Sequence, residues 1–241
     1  MRILVTNDDG INSPALVHLV RWAKKFGDVT VVAPKIEQSG KSHGIDIINS
    51  FEVKKVSLSD DVEGYSVNST PADCVRFAVL GLKEKYDFVI SGINRGYNIG
   101  RDIVYSGTVG AIFEAQNFGI PAMAISTAHT SFDSAIANLD LVGDYIKNNE
   151  LYKYCSLYNI NIPLDEIKGI RITRQGGAYY SDEFIPMEND IWKQVGVFVY
   201  KYAGNPELDT DSVMDGYISI TPLTLERTNL QVWDRLKNTI S

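Results

Sequence analysis

The sequence predicts an α/β protein organised on a mostly parallel sheet. Two observations carry this: several strand-length runs are apolar without alternation, and segments of helical periodicity separate them. Strands that are apolar on both faces belong in the middle layer of a fold, covered by helices above and below. The chain is large enough for this, with 241 residues of which 44% are hydrophobic and 22% charged. That is material for one large α/β domain, alone or with an appendage.

The elements follow in order. Ile3-Leu4-Val5 reads as a strand buried on both faces, ending at Asn7-Asp8-Asp9-Gly10. Ser13 is a suitable N-cap and Pro14 a suitable first helical residue; Leu16, Val17, Leu19, Val20, Ala23 and Phe26 continue at helical spacing to Gly27. Residues 28–33 form a second buried strand closed by Pro34, followed by a polar loop over 35–44 and short β segments over 45–67. Thr70-Pro71-Ala72-Asp73 opens a helix in which Asp73 reads as a cap and Cys74 as packing. A third buried strand over 87–91 runs into the glycine-dense loop Ser91-Gly92-Ile93-Asn94-Arg95-Gly96-Tyr97-Asn98-Ile99-Gly100. Ser106-Gly107-Thr108 begins a helix that Gly119 and Pro121 end, a fourth buried strand covers 122–126, and a helix covers 133–147. Beyond it, strands are expected at 157–162, 169–173, 194–202 and 217–221, with a terminal helix within 223–240. A boundary near 127–130 gives a catalytic core over 1–128 and a smaller α+β portion over 129–241 that completes the fold and contributes subunit contacts.

The most informative residues are Asp8 and Asp9. Ligands of open α/β sheets collect at the carboxyl ends of the strands, and two adjacent anions there repel each other unless a cation intervenes. Oxygen ligands of this kind suit magnesium, manganese or calcium. A plain Asp-Gly turn is the competing reading. Ser39-Gly40 lies at the next strand end and is as readily a turn as a site. In the glycine-dense loop, Asn94 and Asn98 offer carbonyl oxygens or amide donors, while the helix start at Ser106, Gly107 and Thr108 offers N–H groups and hydroxyls to a phosphate. His43 stands out from His18 and His129 only by lying in the Ser39 loop, within reach of a substrate. Asp209 and Asp211 form an acidic pair in a polar stretch and read as a solvated loop.

Other classes are disfavoured. A net charge of −7 argues against binding a nucleic-acid polymer through phosphates. No apolar run approaches the roughly 20 residues that span a bilayer, and the first residues lead directly into a strand, so the expectation is a cytoplasmic protein that does not engage membranes. Cys74 and Cys155 have no metal-type spacing.

Taken together, Asn7-Asp8-Asp9-Gly10, Ser39-Gly40, Ser91-Gly92-Ile93-Asn94 with Gly96, Asn98 and Gly100, and Tyr105-Ser106-Gly107-Thr108-Val109 resemble the SurE family of survival proteins. The likeness continues through Asn159-Ile160-Asn161-Ile162-Pro163 and Gly216-Tyr217-Ile218-Ser219-Ile220-Thr221-Pro222, nearly the whole chain. The resemblance implies a Rossmann-like three-layer α/β/α core and a carboxyl-terminal portion that supports homodimers or homotetramers through exchanged elements. It implies a metal-dependent phosphatase acting on nucleoside 5′- and 3′-monophosphates, with one divalent ion, magnesium or manganese, on Asp8, Asp9, Ser39 and Asn94. The chain departs from the family's Arg-rich stretch at Arg174-Gln175-Gly176-Gly177-Ala178-Tyr179-Tyr180, and carries Lys41, Ser42 and His43 after Ser39.

The expected reaction is hydrolysis by a metal-activated water, with Asp8 and Asp9 as catalytic carboxylates, Asp8 steering or deprotonating the water, and Asn98, Ser106, Gly107, Thr108 and His43 holding the substrate. Two alternatives stand beside it. One is hydrolysis of short polyphosphate or other small phosphoesters; the other is a nucleotide-binding module without catalysis.

Overall fold

The first strand, β1 (Arg2–Thr6), sits inside the sheet that organises the chain, and the other elements are read from it. In chain order they are α1 (Pro14–Ala23), β2 (Asp28–Pro34), β3 (Val53–Ser59), β4 (Val62–Val67), α2 (Pro71–Arg76), β5 (Phe88–Arg95), α3 (Gly107–Asn117), β6 (Ala122–Thr127), α4 (Asp133–Asn148), β7 (Leu157–Ile162), β8 (Gly169–Ile172), β9 (Tyr180–Pro186), β10 (Trp192–Phe198), α5 (Asp209–Met214), β11 (Tyr217–Pro222) and α6 (Leu230–Ile240). The computed structural model describes residues 1–240.

Nine strands form one sheet in the order β3-β4-β2-β1-β5-β6-β7-β11-β8. All neighbours are parallel except β3 with β4 and β7 with β11. Ile3 and Val5 of β1 pack with α1 and α4 on one face, and Leu4 packs with α2 and α3 on the other. The unalternating apolar pattern is thus what a strand between two helical layers requires. Each large side chain removed from water in this way contributes roughly 1.5–3 kcal/mol. After β2 the chain adds strands on one side of β1, then crosses to β5 on the other side. This places the switch point of the sheet at the carboxyl end of β1.

Several boundaries differ from expectation for identifiable reasons. The helix α1 stops at Ala23, three residues before Phe26, because a tight turn carries the chain back beneath β1. Gly27 is required by proximity: a Cβ there would lie 1.9 Å from the carbonyl oxygen of Met1. Ser13 occupies the N-cap position, yet its side chain makes no capping bond. Thr70 does cap α2, accepting from the Asp73 N–H at 3.1 Å, while the Asp73 carboxylate accepts from Ser69, Thr70 and the Asp46 N–H. Residues 45–52 form no strand.

The strand expected at 194–202 is β10, whose partner β9 the sequence did not announce. Together they make an antiparallel hairpin outside the main sheet, with Phe184, Ile185, Trp192 and Phe198 exposed. The terminal helix α6 likewise exposes Leu230, Val232, Trp233 and Leu236. 

Asp209 and Asp211 do not lie in a solvated loop. Both are 1% exposed, and they open α5. Asp209 accepts N–H bonds from Gly100, Gly176 and Thr210 at 2.7–3.0 Å; Asp211 accepts from the Tyr200 hydroxyl and from the N–H groups of Ala203 and Asn205. Each carboxylate replaces water for backbone donors that the irregular loops leave unpaired. Substituting Asp209→Ala orphans three such donors and is expected to lower the unfolding free energy by about 3 kcal/mol. Urea denaturation of the purified variant measures this.

Candidate active site

The site begins with a local turn. Asn7 closes it at both ends, its Oδ1 accepting from the Gly10 N–H at 3.1 Å and its Nδ2 donating to the Gly10 carbonyl at 2.9 Å. Gly10 has φ +95°, and a Cβ would meet the Ile36 and Glu37 backbone at 3.2 and 3.3 Å. The turn therefore packs directly against the segment leaving β2, and the Gln38 N–H donates to the Asp8 carbonyl at 2.7 Å.

Asp8 is buried, at 4% exposure. Its Oδ1 accepts from the Thr108 hydroxyl at 2.5 Å. At Gly107 an added Cβ would stand 3.0 Å from the Asp8 Cβ and 3.2 Å from the Gln38 carbonyl, so the start of α3 meets both strand ends without an intervening side chain. Asp9 is oriented from the other side. Its Oδ2 accepts from the Arg95 N–H at 3.0 Å, which brings the end of β5 to the same point.

Asn94 precedes that N–H and is 9% exposed. The pairing of β5 with β6 shifts here, Gly92 opposing Ile125 and Asn94 opposing Ser126, a bulge that re-aims the strand end. The glycine-dense segment is thus strand as far as Arg95. The Asn94 Nδ2 donates to the Gly96 carbonyl at 2.7 Å, which leaves Oδ1 as an acceptor. Ser39, next to Gln38, is exposed and donates to Glu37 Oε1 at 2.6 Å.

Burial pushes the Asp8 carboxyl up to about 6 against the opposing bonds from Thr108. Burial, followed by the charge of Asp8, pushes Asp9 to about 7. Two carboxyls so placed resist ionising together. Among the described residues no group of three or more His, Cys, Asp and Glu side chains is placed to hold a metal. A cation here would draw on two carboxylates and the neutral oxygens of Asn94 and Ser39, a donor set that fits a hard divalent ion and does not fit zinc.

The remaining expected residues occupy different surroundings. Ser106 caps α3, its Oγ accepting from the Val109 N–H at 3.1 Å. The Asn98 backbone N–H donates to Asn161 Oδ1, its carbonyl accepts from Asn159 and Asn161, and its side chain donates to Ser126 at 2.8 Å. His43 does not join the carboxylates. Its Nε2 pairs with Glu114 Oε2 at 2.6 Å, and Arg76 and Asn117 donate to the same carboxylate. Burial pushes the Glu114 carboxyl up, but these three bonds outweigh it and hold the group below its ordinary value. The cluster fastens the Ser39 loop to α2 and α3, together with the Ser42 hydroxyl, which donates to the Val104 carbonyl at 2.6 Å.

The sequence assigned no role to Arg95, Glu114 or the pair Asn159 and Asn161, although the pair stands among the motifs that carry the resemblance. The pair did leave a signal: two amides at alternate positions of an otherwise apolar strand share one face.

With this geometry established, comparison with known proteins identifies the relatives. The family described as survival protein SurE matches residues 3–182. The chain belongs to the SurE family. It is 36% identical over 249 residues to the 5′-nucleotidase SurE of Petrotoga mobilis, covering 99% of this chain and 98% of that protein. It is 38% identical to the 5′-nucleotidase SurE of Gemmatimonas aurantiaca, with 96% of each covered. A crystal structure of the SurE protein from Aquifex aeolicus superposes with a TM-score of 0.81 at 31% identity over the full length of both chains. The three-layer α/β/α core anticipated from the motifs is therefore that of a SurE protein.

The raised carboxyls carry a sign. Unfolded carboxyls of this type titrate near 3.8, so between about pH 4 and 7 the folded chain holds more protons than the unfolded one. Its stability then falls as pH rises through this window. Urea denaturation in chelator across pH 5–8 should show this fall, and Asp9→Asn should flatten it. An equal slope in the variant would count against the raised Asp9 carboxyl.

Proposed function

We propose that this chain is a divalent-metal-dependent phosphomonoesterase that releases phosphate from nucleoside 5′- and 3′-monophosphates. The observation that carries the reading is the meeting of Asp8 and Asp9 with Thr108 and the Arg95 N–H at the switch point of the sheet. Its relatives' name as 5′-nucleotidases supports the substrate class.

Asp8, Asp9, Ser39 and Asn94 would hold one divalent ion, magnesium or manganese. When bound it would neutralise phosphate charge and lower the pKa of water. Thr108 orients Asp8 through Oδ1, leaving Oδ2 to steer the attacking water and take its proton. As the water oxygen bonds to phosphorus, the ester P–O bond breaks and the leaving ribose oxygen takes up a proton from solvent. Ser106 and the first-turn N–H of Gly107 face the phosphate oxygens, while Thr108 acts through Asp8. Asn98 and His43 serve the site at one remove, by holding its two loops.

The segment 1–128 supplies these residues, and 129–241 completes the sheet and carries the assembly surfaces. The apolar faces of the β9–β10 hairpin and of α6 support a homodimer or homotetramer in which they are covered by other copies of the chain. No described helix is long and apolar enough to cross a membrane. The proposed location is the cytoplasm.

Phosphate release from AMP and GMP with magnesium or manganese tests the activity. Chelator should abolish it, and Asp8→Asn or Asp9→Asn should lower kcat/KM by at least about a hundredfold. A folded double variant with undiminished turnover would sink the assignment of the site. For assembly, Trp192→Glu with Trp233→Glu is expected to lower the molar mass found by light scattering towards that of a single chain.

A further inference from the structure

The Ser39 loop poses a positioning problem that its own residues do not solve. Of the residues proposed to hold the cation, Asp8 and Asn94 are buried where their strands end, whereas Ser39 stands in the segment 35–50, which has no buried residue. No apolar packing therefore fixes it. Among the described residues the Ser39 hydroxyl bonds only to Glu37 of the same segment, and a Cβ at Gly40 would meet nothing within 4 Å. The order has to come from outside, and one face of α3 supplies it. Gly107, Gly110 and Glu114 share that face by their helical spacing. Gly107 meets the Gln38 carbonyl, and at Gly110 an added Cβ would stand 2.1 Å from the Ser42 carbonyl oxygen and 3.0 Å from the His43 Cα. Glu114 then takes the His43 ring at 2.6 Å. The Glu114 side chain is 3% exposed and that of His43 16%.

We propose that Glu114 is a positioning residue for the cation site: through His43 it holds the loop so that Ser39 is in place before the ion arrives. The inference rests on the metal-dependent phosphatase reading and deepens it. Glu114 suits the role because it is itself held. It accepts from Arg76 at 2.8 Å and from Asn117 at 3.1 Å besides His43, so the carboxylate that receives the loop is fixed by α2 and α3 and does not swing with it. A ligand on a free segment must be ordered when the ion binds, and the lost entropy weakens binding; a ligand ordered in advance escapes that loss. A segment without apolar anchors gains most from such a tie. The same helix also joins the two halves of the site. Its first turn touches Asp8 at Gly107, and Glu114 follows about two turns later, so Asp8 and Ser39 are both referred to one rigid element.

The test measures manganese binding by the full chain, without substrate, from the electron paramagnetic resonance signal of the free ion. Glu114→Ala and His43→Ala should each weaken the manganese Kd by about tenfold. The double variant should bind no more weakly than either alone, because both cut the same connection. Glu114→Gln, whose amide keeps a hydrogen bond to the His43 ring, should restore most of the affinity. Arg76→Ala removes a donor to Glu114 but leaves the loop's own bond; it should lower the urea midpoint and leave the Kd within about twofold. That contrast separates positioning from a general loosening of the fold. In turnover of AMP, kcat of the alanine variants should return close to that of the parent once manganese saturates. A folded His43→Ala variant with unchanged Kd, or a double variant whose losses add, would overturn the positioning role and leave the cation site standing. A parent protein that binds no manganese, or binds it equally well after Asp8→Asn with Asp9→Asn, would overturn the metal-dependent reading and the positioning role with it.

Discussion

Placing two carboxylates side by side in a nearly dry strand end is the constraint around which this molecule is arranged. Neither Asp8 nor Asp9 gains from that position by itself: burial disfavours its charge, and the neighbour's charge adds to the cost. Opposing this are the Thr108 hydroxyl on one side and the Arg95 N–H on the other. Each comes from a different element, the start of α3 and the end of β5, and each is brought in beside a glycine. Gly107 lets the helix touch Asp8, and Gly92, at φ +146° with the Ile125 carbonyl 2.4 Å from where a Cβ would stand, lets the last residues of β5 leave their regular register. The glycine density of the sequence is a consequence of how closely four segments must converge.

Rigid support reaches the site through buried polar groups more than through apolar packing. Glu114 fixes the Ser39 loop through His43, Asp73 receives the Asp46 N–H from the same crossing, and Asp209 takes the N–H of Gly100 at the far end of the glycine loop. These carboxylates stand in for the regular hydrogen bonding that loops forgo. They are also why the acidic residues of this chain cannot be sorted into sites and surface by composition. Asp8 and Asp209 are both almost inaccessible, one surrounded by donors that leave an oxygen free and the other fully engaged by backbone.

This explains how far the sequence could be read. The buried strands were legible because both faces of Ile3-Leu4-Val5 are covered, and period and apolarity are local properties. Asp8 and Asp9 were legible because doubled carboxylates at a strand end are unusual in themselves. Arg95 was not, since it acts through its backbone N–H, a group every residue except proline possesses. Glu114 sits inside a helix and gains meaning only from His43, 71 positions away. Asp209 and Asp211 look like solvent-facing residues because their neighbours in sequence are polar; what buries them is the folding back of the chain, which brings Gly100 and Gly176 onto Asp209 and the segment from Tyr200 to Asn205 onto Asp211. The hairpin strand β9 escaped because its residues are exposed on both faces and follow no burial pattern.

The placement of the exposed aromatic surfaces along the chain has a consequence for synthesis. Every residue proposed to hold the cation or the phosphate lies before position 118, whereas the hairpin begins at Tyr180 and α6 at Leu230. A chain emerging from the ribosome in this order can collapse its first strands before its adhesive segments exist. Those segments then appear only after the strands that carry the site. The order of elements thus shortens the interval in which a half-made chain would cling to the wrong surface.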